Sequence, residues 1–336
     1  MKVQKSGVIV GLIFSAAATV FLLAITDFSN VAQTIASASA GAIVAAVAAS
    51  TLAHLLRAQR WWWLLLPIGR FGVLRDVLPT YILGQGLNML LAFRSGDLIR
   101  TVVFARRTRQ NAAGVLTTVV IEKLWDAVLL LLCTGLVVLA AAPAEARPGS
   151  TGIYAVITIT GVVVLVGFLR PGAFKGAARS LFVRLPARSR EAISGAMESI
   201  LQATQSTRDL RTLSWATSLT AAAWTASYFV HFAILAALNI DAPWYAPLVV
   251  LVTMNFGTSI PAVPGNLGVA HVLAFASISL FGVSTSDATA YALLAHGIPF
   301  VWQSFLAVGA MAFLGVSWRA AKEAASDQVG KTERGG

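Results

Sequence analysis

Long apolar stretches separated by short basic ones run the length of this sequence, and that alternation limits what the chain can fold into. Apolar runs lie near 7–26, 35–56, 77–93, 114–142, 151–169, 212–238, 245–262, 267–281 and 288–317, most of them about 17 to 29 residues long. An α-helix needs about 20 apolar residues to cross a bilayer core, while the roughly 10-residue alternating segments of a membrane β-barrel do not occur here. With 57% hydrophobic and 12% charged residues, the composition is that of an integral membrane protein. The first run is longer than a signal-peptide core and is expected to be retained as a helix. The single cysteine, Cys133, falls inside an apolar run, so no disulfide framework or thiolate metal site is expected.

The positive charges give an orientation. Lys2 and Lys5 precede the first run and the connection 27–36 has neither Lys nor Arg, which places the N-terminus in the cytoplasm. The second run then delivers Arg57, Arg60, Arg70 and Arg75 to the cytoplasmic side, with Trp61, Trp62 and Trp63 as an expected interfacial belt. Segment 77–93 is followed by Arg94, Arg100, Arg106, Arg107 and Arg109, also cytoplasmic in character. A single crossing between two cytoplasmic stretches breaks parity, so the expectation is a re-entrant element. Its interior residues Gly84, Gln85, Gly86 and Asn88 suit irregular backbone buried in protein. The connection 170–211 is a basic cytoplasmic loop, and 319–336 a polar cytoplasmic tail. Segment 245–281, interrupted by PAVPGNLG, is either a second re-entrant hairpin or two short crossings.

The expected fold is therefore all-α and polytopic, about six full transmembrane helices plus two re-entrant or broken-helix hairpins. It forms a single transmembrane domain over 1–318 in the cytoplasmic membrane, with both termini cytoplasmic. Helix, hairpin and long helix over 35–142 match the same order over 212–317 with opposite orientation, which suggests an inverted repeat. Broken helices meeting near the midplane of such repeats are where transporters bind substrate.

Three clusters carry candidate chemistry. Arg94, Gly96, Asp97 and Arg100 lie where the first hairpin meets the headgroup zone, with Asn88 in the arm before them. Gly96 can permit a sharp turn, and a guanidinium binds phosphate through two parallel hydrogen bonds. The plainer reading has these arginines snorkelling to anionic lipid, and it is preferred for Arg106, Arg107 and Arg109. Glu122, Lys123 and Asp126 form the second cluster, with the two acids on one helical face. Either they sit at a cytoplasmic helix start, or they point into the bundle and pair with Arg94, Arg100 or a substrate cation. The third is the break at Pro264, Gly265, Asn266 and Gly268, followed by His271, where freed N–H groups can form an anion-binding helix terminus. Four histidines without metal-motif spacing give no case for a metal, and no cofactor is expected.

NMLLAFRSGDLIR at 88–100, EKLWD at 122–126 and PAVPGNLG at 261–268 resemble the lysylphosphatidylglycerol synthase transmembrane, or flippase-like, family. That family is the membrane half of the multiple peptide resistance factor and its stand-alone relatives. The sequence departs from the family's common pattern at Ala92, where a proline is usual, and at His271, where a glutamate is usual. The resemblance implies translocation of modified phospholipids or polyprenyl-linked lipids, with re-entrant helices in each half.

On this reading the chain is a lipid translocase, not an enzyme, because its longest non-membrane segment is too short for a catalytic domain. Its expected partners are membrane lipids with phosphate-containing headgroups, a second copy of itself or a separate lipid-modifying enzyme, to which a non-catalytic scaffold role is the alternative. The net charge of +11 lies beside membrane spans and points to anionic lipid, not to nucleic acid.

Overall fold

A computed structural model describes residues 15–24, 26–91, 95–141, 210–258 and 264–317. Arg94, the run 151–169, the loop 170–211 up to residue 209 and the tail 319–336 lie outside the described residues. The described residues form ten α-helices, two short helical turns at Val73–Val77 and Pro264–Asn266, and no strand: α1 Ser15–Ala24, α2 Phe28–Ala36, α3 Ala40–Leu65, α4 Leu78–Leu90, α5 Gly96–Thr108, α6 Ala112–Ala141, α7 Leu210–Ala237, α8 Ala246–Gly257, α9 Val269–Ser279 and α10 Thr285–Leu314. Among the described residues three helices are long and apolar enough to cross a membrane: α3, α7 over Arg211–Ala237, and α10. At a rise of about 1.5 Å per residue, α6 is just as long, but it carries Glu122, Lys123 and Asp126 in its first half.

Local chemistry sets the ends of these helices. Asp27 caps α2 by accepting from the Ser29 and Asn30 N–H groups, and Ser39 does the same for α3 through Ala42. Ser284 caps α10, which ends at Gly315 in the left-handed conformation. Pro79 sits in the first turn of α4, where a missing N–H leaves no bond unmade.

Both halves run in the order long, short, short, long: α3, α4, α5, α6, then α7, α8, α9, α10. The two opening helices, α3 and α7, pack along each other as the largest helix pair. The first short helix of each half lies on the closing helix of the other, α4 on α10 and α8 on α6. The short pairs α4/α5 and α8/α9 are broken at 91–95 and 258–268, and the breaks adjoin: the Gly265 position faces the Met89 carbonyl and the Phe300 ring.

The glycines of the first hairpin act through contact. Residues 84–88, expected as irregular backbone, lie inside a regular helix, and the break comes later, after Leu90. Gly96 opens α5 without a positive φ, so its role is not the turn expected of it. A Cβ at Gly96 would strike the Gly84 carbonyl and come within 2.6 Å of the Asn88 nitrogen. Gly84 in turn leaves room for the stem of Arg100, and Gly86 lets α4 touch Ala307 of α10. The second hairpin does use glycine conformationally, with Gly265 at φ 74° and Gly268 at φ 80°.

These contacts predict opposite outcomes for two helical glycines. Gly86→Val drives a side chain into Ala307 and should destabilise the protein by about 1–3 kcal/mol. Gly297→Ala meets nothing within 4 Å and should hold or raise stability. Thermal unfolding of the two variants in detergent measures the difference.

Candidate functional site

A cavity of about 490 Å³ opens between the two halves, walled by α3, α4, α6, α7, α8 and α10, with Asp97 of α5, Ala270 of α9 and, from the second break, Thr258 and Asn266. Its surface is rich in polar groups, which are costly at membrane depth and are placed there by specific partners.

The centre of that wall is a lattice of ion pairs. Arg60 of α3 makes two hydrogen bonds to Asp126 of α6, at 2.7 and 3.1 Å, and lies 3.5 Å from Glu122. Arg100 of α5 approaches Glu122 from the other side at 3.1 and 3.3 Å and also pairs with Asp97 at 2.9 Å. Lys123 closes the lattice on Asp97 at 3.2 Å. Glu122 thus stands between two guanidinium groups, and Arg60, Arg100 and Glu122 are buried almost completely.

Surrounding groups fix this geometry. The Arg100 guanidinium lies over Trp61 at 4.8 Å and over Tyr81 at 5.1 Å. The Trp61 indole N–H donates to Thr118, the Trp224 indole N–H to Asp126, and Arg60 to Thr220. Asn88 accepts the Asp97 N–H at 3.2 Å, so it caps the start of α5 from the neighbouring arm of the hairpin.

The structure brings most of the expected residues together. Asn88, Asp97, Glu122, Lys123, Asp126 and Asn266 line the cavity. The inward alternative therefore holds for the acids of α6, and their partners are Arg60 and Arg100. Arg100 does not face a ligand: its guanidinium is enclosed by two carboxylates and two aromatic rings. Arg94 is outside the described residues. The start of α9, expected as an anion site, is covered by α1, with Ser15 Oγ donating to the Leu267 carbonyl and Gly268 packed on Ser15 and Thr19. His271 accepts the Gly268 N–H at 3.3 Å and lies edge-on to His296 at 4.9 Å, one layer behind the wall. Among the remaining site residues, Gly265 is buried against Phe300 and Pro264 opens the turn before it.

Sequence reasoning missed the contribution of α3. Arg57 and Arg60, expected at the cytoplasmic surface, lie within the helix, with Arg57 on the cavity wall and Arg60 buried behind it. Trp61, expected in an interfacial belt, is fully buried. The signal was the spacing of His54, Arg57 and Trp61 at i, i+3 and i+7, which puts a cation on the same helix face as two aromatic rings. Arg57 donates to Ser227 at 2.9 Å and lies 5.9 Å over Trp224, and no carboxylate of the described residues comes within 4 Å of it. His54, His231 and His296 also line the cavity, His231 bonded to the Tyr291 hydroxyl at 3.0 Å. Among the described residues no cluster of His, Cys, Asp or Glu is arranged to hold a metal.

Comparison with protein families matches residues 8–307 to the lysylphosphatidylglycerol synthase TM region. Comparison with curated proteins gives no match.

Glu122 offers the sharpest test of the lattice. Glu122→Gln leaves two buried guanidinium groups short of a countercharge, and the cost should be about 3–5 kcal/mol. An unchanged melting temperature for the purified variant would contradict the bridging role.

Proposed function

From the premise that this chain belongs to the lysylphosphatidylglycerol synthase transmembrane family, a group of membrane proteins linked to lipid modification or transport, we propose that it is a lipid translocase. In this reading the headgroup of a phosphate-bearing lipid enters the central cavity while its acyl or prenyl chains stay in the bilayer. The observation that carries it is the cavity itself: a chamber of about 490 Å³ in an apolar helical bundle, lined by Arg57, Asp97, Glu122, Lys123 and Asp126 and by residues of both hairpins. A headgroup in that chamber exchanges its water for fixed dipoles and charges, which lowers the barrier that hydrocarbon otherwise imposes.

The repeated order long, short, short, long, with crossed packing of α4 on α10 and α8 on α6, supports taking 35–142 and 212–317 as an inverted repeat. Alternating access then follows as rocking of one half against the other around the fixed site. We assign the protein to the cytoplasmic membrane with both termini inside, and give it no catalytic step of its own. Arg57 takes the role first expected of Arg100. It is the cavity cation left after each neighbouring carboxylate is paired, so it is available to a phosphate. Lys123, with its side chain 46% exposed, is the second cation a headgroup can reach.

Reconstituted protein should move a fluorescent phosphatidylglycerol analogue between leaflets faster than protein-free vesicles, as read by dithionite quenching. Arg57→Gln should slow that movement about tenfold or more, the value of one charge-assisted contact, with little change in melting temperature. Rates equal to those of empty vesicles would overturn the translocase reading and leave a scaffold for a lipid-modifying enzyme as the alternative.

A further inference from the structure

The charges and free hydrogen-bonding atoms of the cavity say what kind of head it takes. We infer that the chamber selects a singly anionic phosphodiester whose head bears hydroxyl groups and no amine, a polyol or sugar phosphodiester on a lipid anchor. This rests on reading the cavity as a headgroup site.

Charge comes first. Arg57, Arg60, Arg100 and Lys123 face Asp97, Glu122 and Asp126, so the site holds one cation in excess. One phosphodiester neutralises it. An amine-bearing head would need a spare carboxylate, and each of these three already lies within 3.5 Å of a cation. Two of the aromatic faces of the lining that would take a quaternary ammonium are already occupied, Trp224 by Arg57 and Tyr81 by Arg100.

The uncharged lining favours hydroxyl groups. His54 of α3 and His296 of α10 line the cavity from opposite halves of the chain, and each is more than nine-tenths buried. His54 Nδ1 and His296 Nε2 have no hydrogen-bond partner among the described residues. Seven buried side-chain atoms of the described residues lack a partner, and three of them belong to neutral residues on the cavity wall, His54, Tyr81 and His296, where an arriving group can meet them. Gln85, Asn266 and Gln303 add carboxamides to the same lining. Imidazoles and carboxamides both donate and accept, as does a hydroxyl, so they suit a polyol better than a bare phosphate, which only accepts. Pro299, next to His296 in the chamber, has no N–H to give the Ala295 carbonyl and so leaves a further acceptor on this wall.

Native mass spectrometry of the intact, detergent-purified protein tests this by competition, without requiring transport. Four short-chain probes are used: dioctanoyl phosphatidylglycerol, a prenyl phosphomannose, dioctanoyl phosphatidic acid and dioctanoyl lysyl-phosphatidylglycerol. At least one of the first two should bind about tenfold more tightly than the last two, and which of them it is identifies a glycerol-based or a prenyl anchor. Arg57→Gln should lose the preference over the lysyl lipid and Arg57→Lys keep it. His296→Leu should lose the preference over phosphatidic acid and His296→Gln keep it. Equal binding of all four probes by the unmodified protein overturns the inference, as does an unchanged preference in folded Arg57→Gln and His296→Leu. If a variant fails to fold, the competition on the unmodified protein decides alone. Selective binding without lipid movement would sink the translocase reading and leave this one standing, whereas movement without selectivity would do the reverse.

Discussion

Glu122 held between Arg60 and Arg100 is the contact on which the rest of this molecule depends. Each charge taken alone costs about 2.5–3.5 kcal/mol at the centre of a bilayer on insertion scales. Three helices share the bridge: α3 supplies Arg60, α5 supplies Arg100 and α6 supplies Glu122. Asp126 and Asp97 add a second countercharge to Arg60 and Arg100, and the bridge ties the first hairpin to its flanking long helices. The aromatic rings of Trp61 and Tyr81 complete the enclosure of Arg100, and the Trp61 indole is tied in turn to Thr118 of α6.

Around this fixed centre the cavity takes its character. The paired charges, Lys123 among them, form one wall, while Arg57 and the imidazoles of His54 and His296 lie outside that lattice. Under the proposed function, binding and structural strength are carried by different residues of the same lining. That division is visible on a single helix face, where Arg57 is half-buried and bonded to a serine, and Arg60, three residues on, is fully buried and paired with two acids.

Much of the architecture was legible in the sequence. The apolar runs located the long helices, and the proline and glycine cluster at 261–268 located the second break, because proline and positive-φ glycines cannot continue a helix. The charge and glycine content of 84–100 pointed to the first hairpin, but the reason differed: these glycines shorten distances between helices and do not bend the chain. The acids of α6 were readable as candidates because carboxylates in an apolar run want partners. The partner Arg60 was not, since an arginine near the end of an apolar run looks the same to hydropathy whether it reaches for headgroups or turns inward. Only the three-dimensional neighbourhood separates these cases, and for Arg60 that neighbourhood is supplied by α6 and α7, more than 60 residues away in sequence.

The two hairpins are fastened by different forces, and that has a mechanical consequence. The first is riveted by Arg100 to Glu122 and by backbone contact at Gly84 and Gly96, so displacing it means separating opposite charges in a medium that screens them poorly. The second, among the described residues, rests on apolar neighbours such as Phe300 and on the serine of α1 that meets Leu267. No ion pair among the described residues holds it in place. The bundle is thus bound by charge on one flank and by packing on the other, so α8 and α9 can shift without pulling opposite charges apart.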